Sequence, residues 1–385
     1  MSTARRLRPF GTTIFTEASA LAVRTGAINL GQGFPDTDGP PELIEKAHQA
    51  MLAGANQYAP LPGVPELRAA IVAHQQRRYG LDLDPDTQVQ VTFGATEGIA
   101  AAMLGLLEPG DEVVVLEPYY DSYAAAIAMA GGVRRPVTLR SPAFALDPQE
   151  LERAATGPRV RALLLNSPHN PTGRVLTRAE LDAVAAVCLE HDLIAITDEV
   201  YEHLVFDGEH IPLATVPGMA ERTLTISSAG KSFSFTGWKI GWCTGPPELV
   251  AAARAAKQFL TFAGGTPLQH AVAAGLDDAE RLVAPLRERL RAGRDRLAAG
   301  LRDAGLAVSL PQGTYFLNVD LEGRDAAAWC RELPARAGVV AIPTGVFYDD
   351  KEAGRSLVRF AFCKRPEVID EAVERIRASG RTGSR

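Results

Sequence analysis

Two lysines close together define the chemistry this chain could do. The stretch TLTISSAGKSFSFTGWKIGW (223–242) opens as a strand, with Leu224 and Ile226 alternating with Thr and Ser. It then breaks into small and polar residues around Lys231; Lys239 follows, and a new β-branched and aromatic run starts at Ile240. A lysine just past a strand end lies at a sheet edge, where α/β sheets bind ligands. There its amine can be partly desolvated and can form a Schiff base with a carbonyl. Any single lysine of this kind reads as well as a solvated turn. Lys231 gains weight from the residues at the other strand ends.

After QVQVTF (88–93) come Gly94, Ala95 and Thr96 at a helix start. Free amides and the helix dipole favour an anion there, although a plain Gly/Thr cap has the same look. The strand run ending at Leu116 is followed by Glu117-Pro118-Tyr119-Tyr120-Asp121, and an aromatic there can stack on a flat ring or simply pack. VRALLLNSP (160–168) leads into HNPTG, where Asn170 ahead of Pro171 offers an amide to a ring oxygen; alone it is only a turn. LIAIT is followed by Asp198-Glu199-Val200-Tyr201. Asp198 could accept a hydrogen bond from a protonated ring nitrogen, and Tyr201 could bond a phenolic oxygen. A metal reading of Asp198, Glu199 and His203 has no His-x-x-x-His or cysteine partner to support it. Ser228 and Lys239 suit a phosphate, and Lys231 suits an aldehyde. Pyridoxal phosphate uses all of these groups together, and no metal is called for.

The elements that must position these residues follow from the pattern. Short β-branched runs alternate with amphipathic helical stretches from residue 88 to 244, which predicts a mostly parallel sheet with helices on both faces. Residues 1–40 are rich in Gly, Pro and Thr and read as irregular, a segment joining the small domain. GQGFPDTDGPP (31–41) lacks the third glycine of a dinucleotide fingerprint and reads as a loop bringing backbone close to a ligand. A large domain is expected over 41–275 and a smaller α+β domain over 276–385, with strands at 307–310, 314–320 and 356–363 and a frayed end.

Composition narrows the function classes. With 385 residues, 46% hydrophobic, the chain suits two domains of a globular enzyme. The net charge of −6 is dispersed, with no basic block, so nucleic acid is not an expected partner. No apolar run suits a membrane span, and MSTARRLRPF has no apolar stretch behind it, so a cytoplasmic protein without membrane partners is expected. Cys188, Cys243, Cys330 and Cys363 are scattered and read as reduced, buried thiols. Ser228-x-x-Lys231 superficially matches a serine acyl-transferase motif, but Ser-Asp-Asn and Lys-Thr-Gly companions are missing. A non-catalytic cofactor-binding regulator would leave the filled catalytic positions unexplained.

The stretches INLGQGFPD, NQYAP, EPYYDSY, PHNPTG, DEVYEHLVF and SSAGKSFSFTGWKIGW, with VRFAFCK near the end, resemble the class I/II, fold type I aminotransferases. The similarity covers nearly the whole chain. It looks most like the kynurenine aminotransferase/glutamine transaminase K group, and also like methionine-type and N-succinyldiaminopimelate aminotransferases. The resemblance implies Lys231 as the cofactor lysine and proton shuttle, and Asp198 on the pyridine nitrogen. It implies Asn170 and Tyr201 on the ring hydroxyl and Tyr120 against the ring. Ala95, Thr96, Ser228 and Lys239 would hold the phosphate, and Tyr58 would reach the phosphate of a neighbouring subunit in a homodimer. Arg359 would fork the substrate α-carboxylate, helped by Gly33 and Asn170; its place between Val358 and Phe360 in an apolar strand argues against a surface charge.

The implied activity is transfer of the amino group of an aromatic, sulfur-containing, kynurenine or glutamine-like L-amino acid to a 2-oxo acid. The alternatives are an N-succinyldiaminopimelate aminotransferase, or a cysteine-conjugate β-lyase on the same scaffold. Phe15, Phe34, Tyr123, Phe262 and Phe347 are candidates for the side-chain pocket. No second arginine is evident for a distal carboxylate, so an aspartate-type enzyme is disfavoured.

Overall fold

The chain enters through a helix, not a loop. In a computed structural model, which describes residues 3–381, α1 (Ile14–Thr25) precedes the short strand β1 (Ile28–Asn29). This corrects the irregular reading of residues 1–40. The Thr13 side chain accepts from the Thr16 amide, and Gly26 closes the helix at φ 65° with its N–H on the Ala22 carbonyl. Ile14, Ala18, Leu21 and Ala22 share one face and pack on Val340, Ile342 and Phe347. The last residues, expected to fray, are 382–385 and lie outside the described residues.

Helices α2 (Pro41–Leu52) and α3 (Pro65–Tyr79) both begin on a proline, where no intrahelical N–H is lost. The central sheet has seven strands: β2 (Val89–Thr92), β3 (Glu112–Glu117), β4 (Val133–Thr138), β5 (Val160–Asn166), β6 (Ile194–Asp198), β7 (Thr223–Ser228) and β8 (Gly241–Thr244). Their order is β2-β8-β7-β6-β5-β3-β4; β8 runs antiparallel to both neighbours and the other pairs are parallel.

The strands alternate their side chains between two cores. Val113, Val115 and Leu164 meet Ile99, Met103 and Val250 from α4 (Gly94–Leu106) and, further along, α9 (Pro247–Leu260). Val114, Leu116 and Leu163 meet Leu151 and Val184 from α6 (Pro148–Ala155) and α7 (Arg178–Glu190). Both faces are therefore covered, with α5 (Asp121–Met129) following β3 and the single turn α8 (Ala229–Ser232) following β7. The helical stretch after Pro267 resolves into α10 (Thr266–Asp277) and α11 (Ala279–Asp303).

A second, antiparallel sheet has the order β12-β13-β10-β9, built from β9 (Ala307–Ser309), β10 (Phe316–Asp320), β12 (Ile342–Pro343) and β13 (Leu357–Ala361). Helices α12 (Ala326–Ala337) and α13 (Pro366–Arg381) accompany it, and β1 pairs in parallel with β11 (Val339–Val340). Among the described residues no helix is long and apolar enough to cross a membrane. All four cysteines are buried and unpaired with one another.

Candidate functional site

The ends of β3, β5, β6 and β7 and the start of α4 converge on one cavity of about 950 Å³. Gly33, Ala95, Thr96, Tyr120, Asn170, Asp198, Tyr201, Ser228, Lys231, Lys239 and Arg359 all line it. The structure thus gathers residues spread over more than 300 positions of sequence. Tyr58 is the exception: it is 84% exposed and sets its ring edge-on to Phe262 at 5.8 Å. Of the side-chain pocket candidates, Phe15, Phe34 and Tyr123 line the cavity, whereas Phe262 and Phe347 do not.

Lys231 sits on the α8 turn and donates from Nζ to the Tyr315 hydroxyl at 2.8 Å. That hydroxyl in turn donates to the Gly33 carbonyl at 2.8 Å. Enclosure of the amine pushes its pKa down to about 8, against the opposing pull of Asp198. Tyr315 was not singled out from sequence. Its signal was weak, a tyrosine at the head of a small-domain strand, and only folding brings it to the lysine.

Asp198 closes the floor. Its Oδ2 accepts from the Tyr123 hydroxyl at 2.6 Å and its Oδ1 from the Val200 amide at 3.3 Å. Burial pushes its carboxyl up to about 6, and these two donors oppose that shift. Tyr123 therefore serves the carboxylate rather than a substrate side chain. Asn166, also absent from the sequence reading, donates to the Asp198 carbonyl at 2.7 Å and accepts the Asn170 amide at 2.7 Å. It locks the ends of β5 and β6 together. Burial pushes the Tyr201 phenol well up, so it stays protonated and can donate.

The metal reading dissolves into separate partnerships. Glu199 pairs with His210 at 2.8 Å, while His203 bonds His74 through Nε2 at 2.9 Å and Ser232 through Nδ1 at 2.8 Å. Asp198 alone of the three candidates faces the cavity. The His203–Ser232 bond instead braces the turn that carries Lys231.

Arg359 is fully buried in β13, opposite Asn318 of β10. One terminal nitrogen donates to Asn170 Oδ1 at 3.0 Å and the other to the Gly31 carbonyl at 3.0 Å. Its Cζ lies 4.0 Å from the Phe316 ring centroid, 4.9 Å from Phe347 and 5.4 Å from Phe15. Burial pulls its pKa down to about 10, so it remains charged near neutrality. No acidic side chain among the described residues pairs with it, and its Nε is buried without a partner. Such a buried cation suits an anionic ligand that brings its own charge. Gly33 packs its backbone directly on the ring wall beside it: a Cβ there would lie 2.3 Å from Phe316 Cζ.

The third corner is built for an anion. The first-turn amides of α4 have no intrahelical acceptor. The Lys239 amine lies over that helix start, 3.0 Å from where a Gly94 Cβ would stand, and Ser228 ends the neighbouring strand. Lys239 itself adopts the left-handed φ of 56°.

The model of the family described as aminotransferase class I and II matches residues 25–376. The chain belongs to this family.

The aminotransferase is 55% identical over 388 residues to a probable N-succinyldiaminopimelate aminotransferase of Mycobacterium tuberculosis, covering 97% of this chain and 98% of the other. It is 41% identical over 376 residues to the methionine aminotransferase of Escherichia coli, covering 97% of each. A solved structure of N-succinyldiaminopimelate aminotransferase from M. tuberculosis superposes with a TM-score of 0.96, over 98% of this chain and 100% of that one. Members of the family use pyridoxal 5′-phosphate. The cavity fits that cofactor on its own terms. A buried acid with a raised pKa suits a ring N–H⁺, an enclosed amine suits an aldehyde, and a helix start with a lysine and a serine suits a phosphate.

Proposed function

We propose that this aminotransferase exchanges the free α-amino group of N-succinyl-L,L-diaminopimelate with a 2-oxo acid. The observation that carries the reading is the length of the cavity. Its lining runs from Lys231 and Arg359 at the strand edge to Val23 and Arg24 near the far end of α1. The sequence alone put the kynurenine/glutamine group first and this substrate second. The cavity's reach and the 55% relative favour the second. The phenyl rings of Phe15 and Phe34 favour methionine or aromatic amino acids as additional donors.

The residues take the following parts. Lys231 would hold the cofactor aldehyde, and its amine is placed to take the proton from the substrate's Cα; its lowered pKa leaves a neutral fraction near pH 8. Bound pyridoxal phosphate supplies the electron-withdrawing ring that accepts the electron pair left at Cα. Asp198, oriented by Tyr123, holds the ring nitrogen's proton. Tyr201 donates to the ring oxygen, as does the Asn170 amide nitrogen, since Asn170 Oδ1 already serves Arg359. Tyr120, which lines the cavity, would stand against the ring. Ala95, Thr96, Ser228 and Lys239 bind the phosphate. Arg359 forks the α-carboxylate with its remaining terminal N–H groups, and Gly33 lets the backbone pack against the Phe316 and Tyr315 rings beside it. Donor and acceptor use the same site in turn.

Three further readings belong to this proposal. The chain acts as two lobes, 41–275 and 276–385, with 1–40 returning to the second through the β1–β11 pair. It works as a cytoplasmic homodimer: exposed Tyr58 packs edge-on against Phe262, and Tyr58 reaches the partner subunit's phosphate site from there. A β-lyase side activity would release pyruvate and ammonia from a cysteine conjugate without any 2-oxo acid.

The test is a half-reaction panel. Cofactor-loaded enzyme is mixed separately with N-succinyl-L,L-diaminopimelate, L-methionine, L-glutamine and L-kynurenine, and loss of the yellow absorbance is timed. The succinylated substrate is expected to bleach fastest at limiting concentration. Fast bleaching by the other three with none from the succinylated substrate would return the enzyme to the broad-specificity group.

A further inference from the structure

The cavity's charges do not balance once the expected ligands are placed. Four cations line it, Arg24, Lys231, Lys239 and Arg359, against one carboxylate, Asp198. The phosphate takes Lys239, the aldehyde Lys231, the α-carboxylate Arg359 and the ring nitrogen Asp198. Arg24 is left over. It makes no ion pair or hydrogen bond to any described side chain, and it is exposed at the mouth.

Helix α1 explains how Arg24 comes to be there. Two adjacent rows of the helix line the cavity: Phe15, Ser19 and Val23, and Thr16, Ala20 and Arg24. Both rows follow the i, i+4 spacing that stacks side chains along one face. The opposite face, with Ala18 and Ala22, is buried against the second sheet's flank. The lower end of the inward face touches the reacting end of the site, because Phe15 packs beside Arg359 at 5.4 Å. Moving up the helix, the lining passes from the Phe15 ring through the Thr16 and Ser19 hydroxyls and the small apolar Ala20 and Val23 to the Arg24 guanidinium. Ser19 donates to Gln32 Oε1, which leaves the Gln32 amide nitrogen as a further donor along the way.

We infer that Arg24 is the specificity-determining cation for the distal carboxylate of a long acyl-amino acid. The inference rests on the proposed aminotransferase roles of Lys231 and Arg359 and sharpens the proposed substrate. The nine helical steps from Phe15 to Arg24 span about 13.5 Å. The α- and succinyl carboxylates of N-succinyl-L,L-diaminopimelate are ten bonds apart, about 12 Å when extended. An aspartate or glutamate side chain is too short to bridge the two arginines. Lys364, which lies near the cavity-lining Phe34, is already committed: its Nζ donates to the Phe34 carbonyl at 2.8 Å and sits 4.3 Å from the Phe34 ring. A basic residue in the last turn of a helix also complements the helix dipole, and that role alone would give no substrate preference.

The test separates these roles with two probes that share one amino-acid end. Nε-succinyl-L-lysine carries the distal carboxylate, and Nε-acetyl-L-lysine lacks it. The ratio of their kcat/KM values cancels any general loss of active enzyme. Wild-type enzyme is expected to prefer the succinyl probe by about tenfold or more, with the preference shrinking as salt rises, because Arg24 is exposed. Arg24→Ala should bring the ratio to about one, and Arg24→Glu should invert it. A wild-type ratio near one, or a ratio that survives in Arg24→Ala, overturns the inference. Failure of the substrate proposal looks different: N-succinyl-L,L-diaminopimelate would not react while the succinyl-lysine preference and its dependence on Arg24 persisted.

Discussion

Replacing Arg359 by lysine keeps the charge and removes the fork. Arg359 is fully buried, flanked by Phe15, Phe316 and Phe347, and holds Asn170 and the Gly31 carbonyl with its two terminal nitrogens. A lysine reaches that place with one ammonium and cannot serve two carboxylate oxygens in a plane. One charge-assisted hydrogen bond to the substrate is lost, worth about 1.5–3 kcal/mol, and Asn170 or Gly31 is left unserved at a cost of about 1 kcal/mol. The expected loss is about 2–4 kcal/mol, or about 30- to 800-fold in kcat/KM, most of it in KM. The assay compares L-methionine with 3-(methylthio)propylamine, the same amine without its carboxylate, and measures cofactor affinity separately. The Arg359→Lys variant should lose methionine turnover, keep cofactor affinity, and change the slow amine reaction by no more than about threefold. Equal losses for both amines, or an unchanged KM for methionine, would refute the carboxylate role of Arg359.

Two further outcomes follow from the same geometry. In cofactor-free enzyme the Lys231 amine should titrate near pH 8 rather than at its ordinary value, because its enclosure disfavours the ammonium form. Aldehyde capture should therefore rise with pH through about 8 and level off above it, and Lys239→Gln should move the midpoint up, since Lys239 opposes the positive charge; a wild-type midpoint above about 10 contradicts the enclosure. Gly33→Ala should cut kcat/KM at least tenfold and lower thermal stability, because the new Cβ would meet Phe316 at 2.3 Å and Tyr315 at 2.7 Å, and forcing them apart costs about 1–3 kcal/mol. Wild-type kinetics in that variant would show that the wall behind Gly33 yields freely.

Much of the site was legible because its residues stand at strand ends. Asp198 closes β6, Ser228 closes β7, and Lys231 lies on the turn beyond it. Polar residues interrupting β-branched runs mark such places in sequence. Proline-led helices were equally legible: α2, α3, α6 and α13 each start on the proline that announces them. What escaped the reading depends on contacts between distant segments. Tyr315 meets Lys231 from 84 positions away, and nothing local separates it from an ordinary strand tyrosine. From sequence Tyr123 is only one of several aromatic candidates for the side-chain pocket, and the 2.6 Å bond to Asp198 appears only in the fold.

Helix α1 shows a different failure. Its Thr13 cap and Gly26 stop are ordinary helix signals, but Gly, Pro and Thr in the flanking loops outweighed them. Missing the helix also hid Arg24. Without α1, no second arginine could be related to Arg359, and the case for a distal carboxylate had no donor.

The most direct measurement is the identity of the lysine that carries the cofactor. The enzyme is loaded with pyridoxal phosphate, reduced with borohydride, digested and mapped by mass spectrometry. The account predicts a phosphopyridoxyl label on Lys231 and none on Lys239, with labelling abolished in Lys231→Ala. A label on Lys239, or on any residue outside the cavity, would contradict the assignment from which the other roles are drawn.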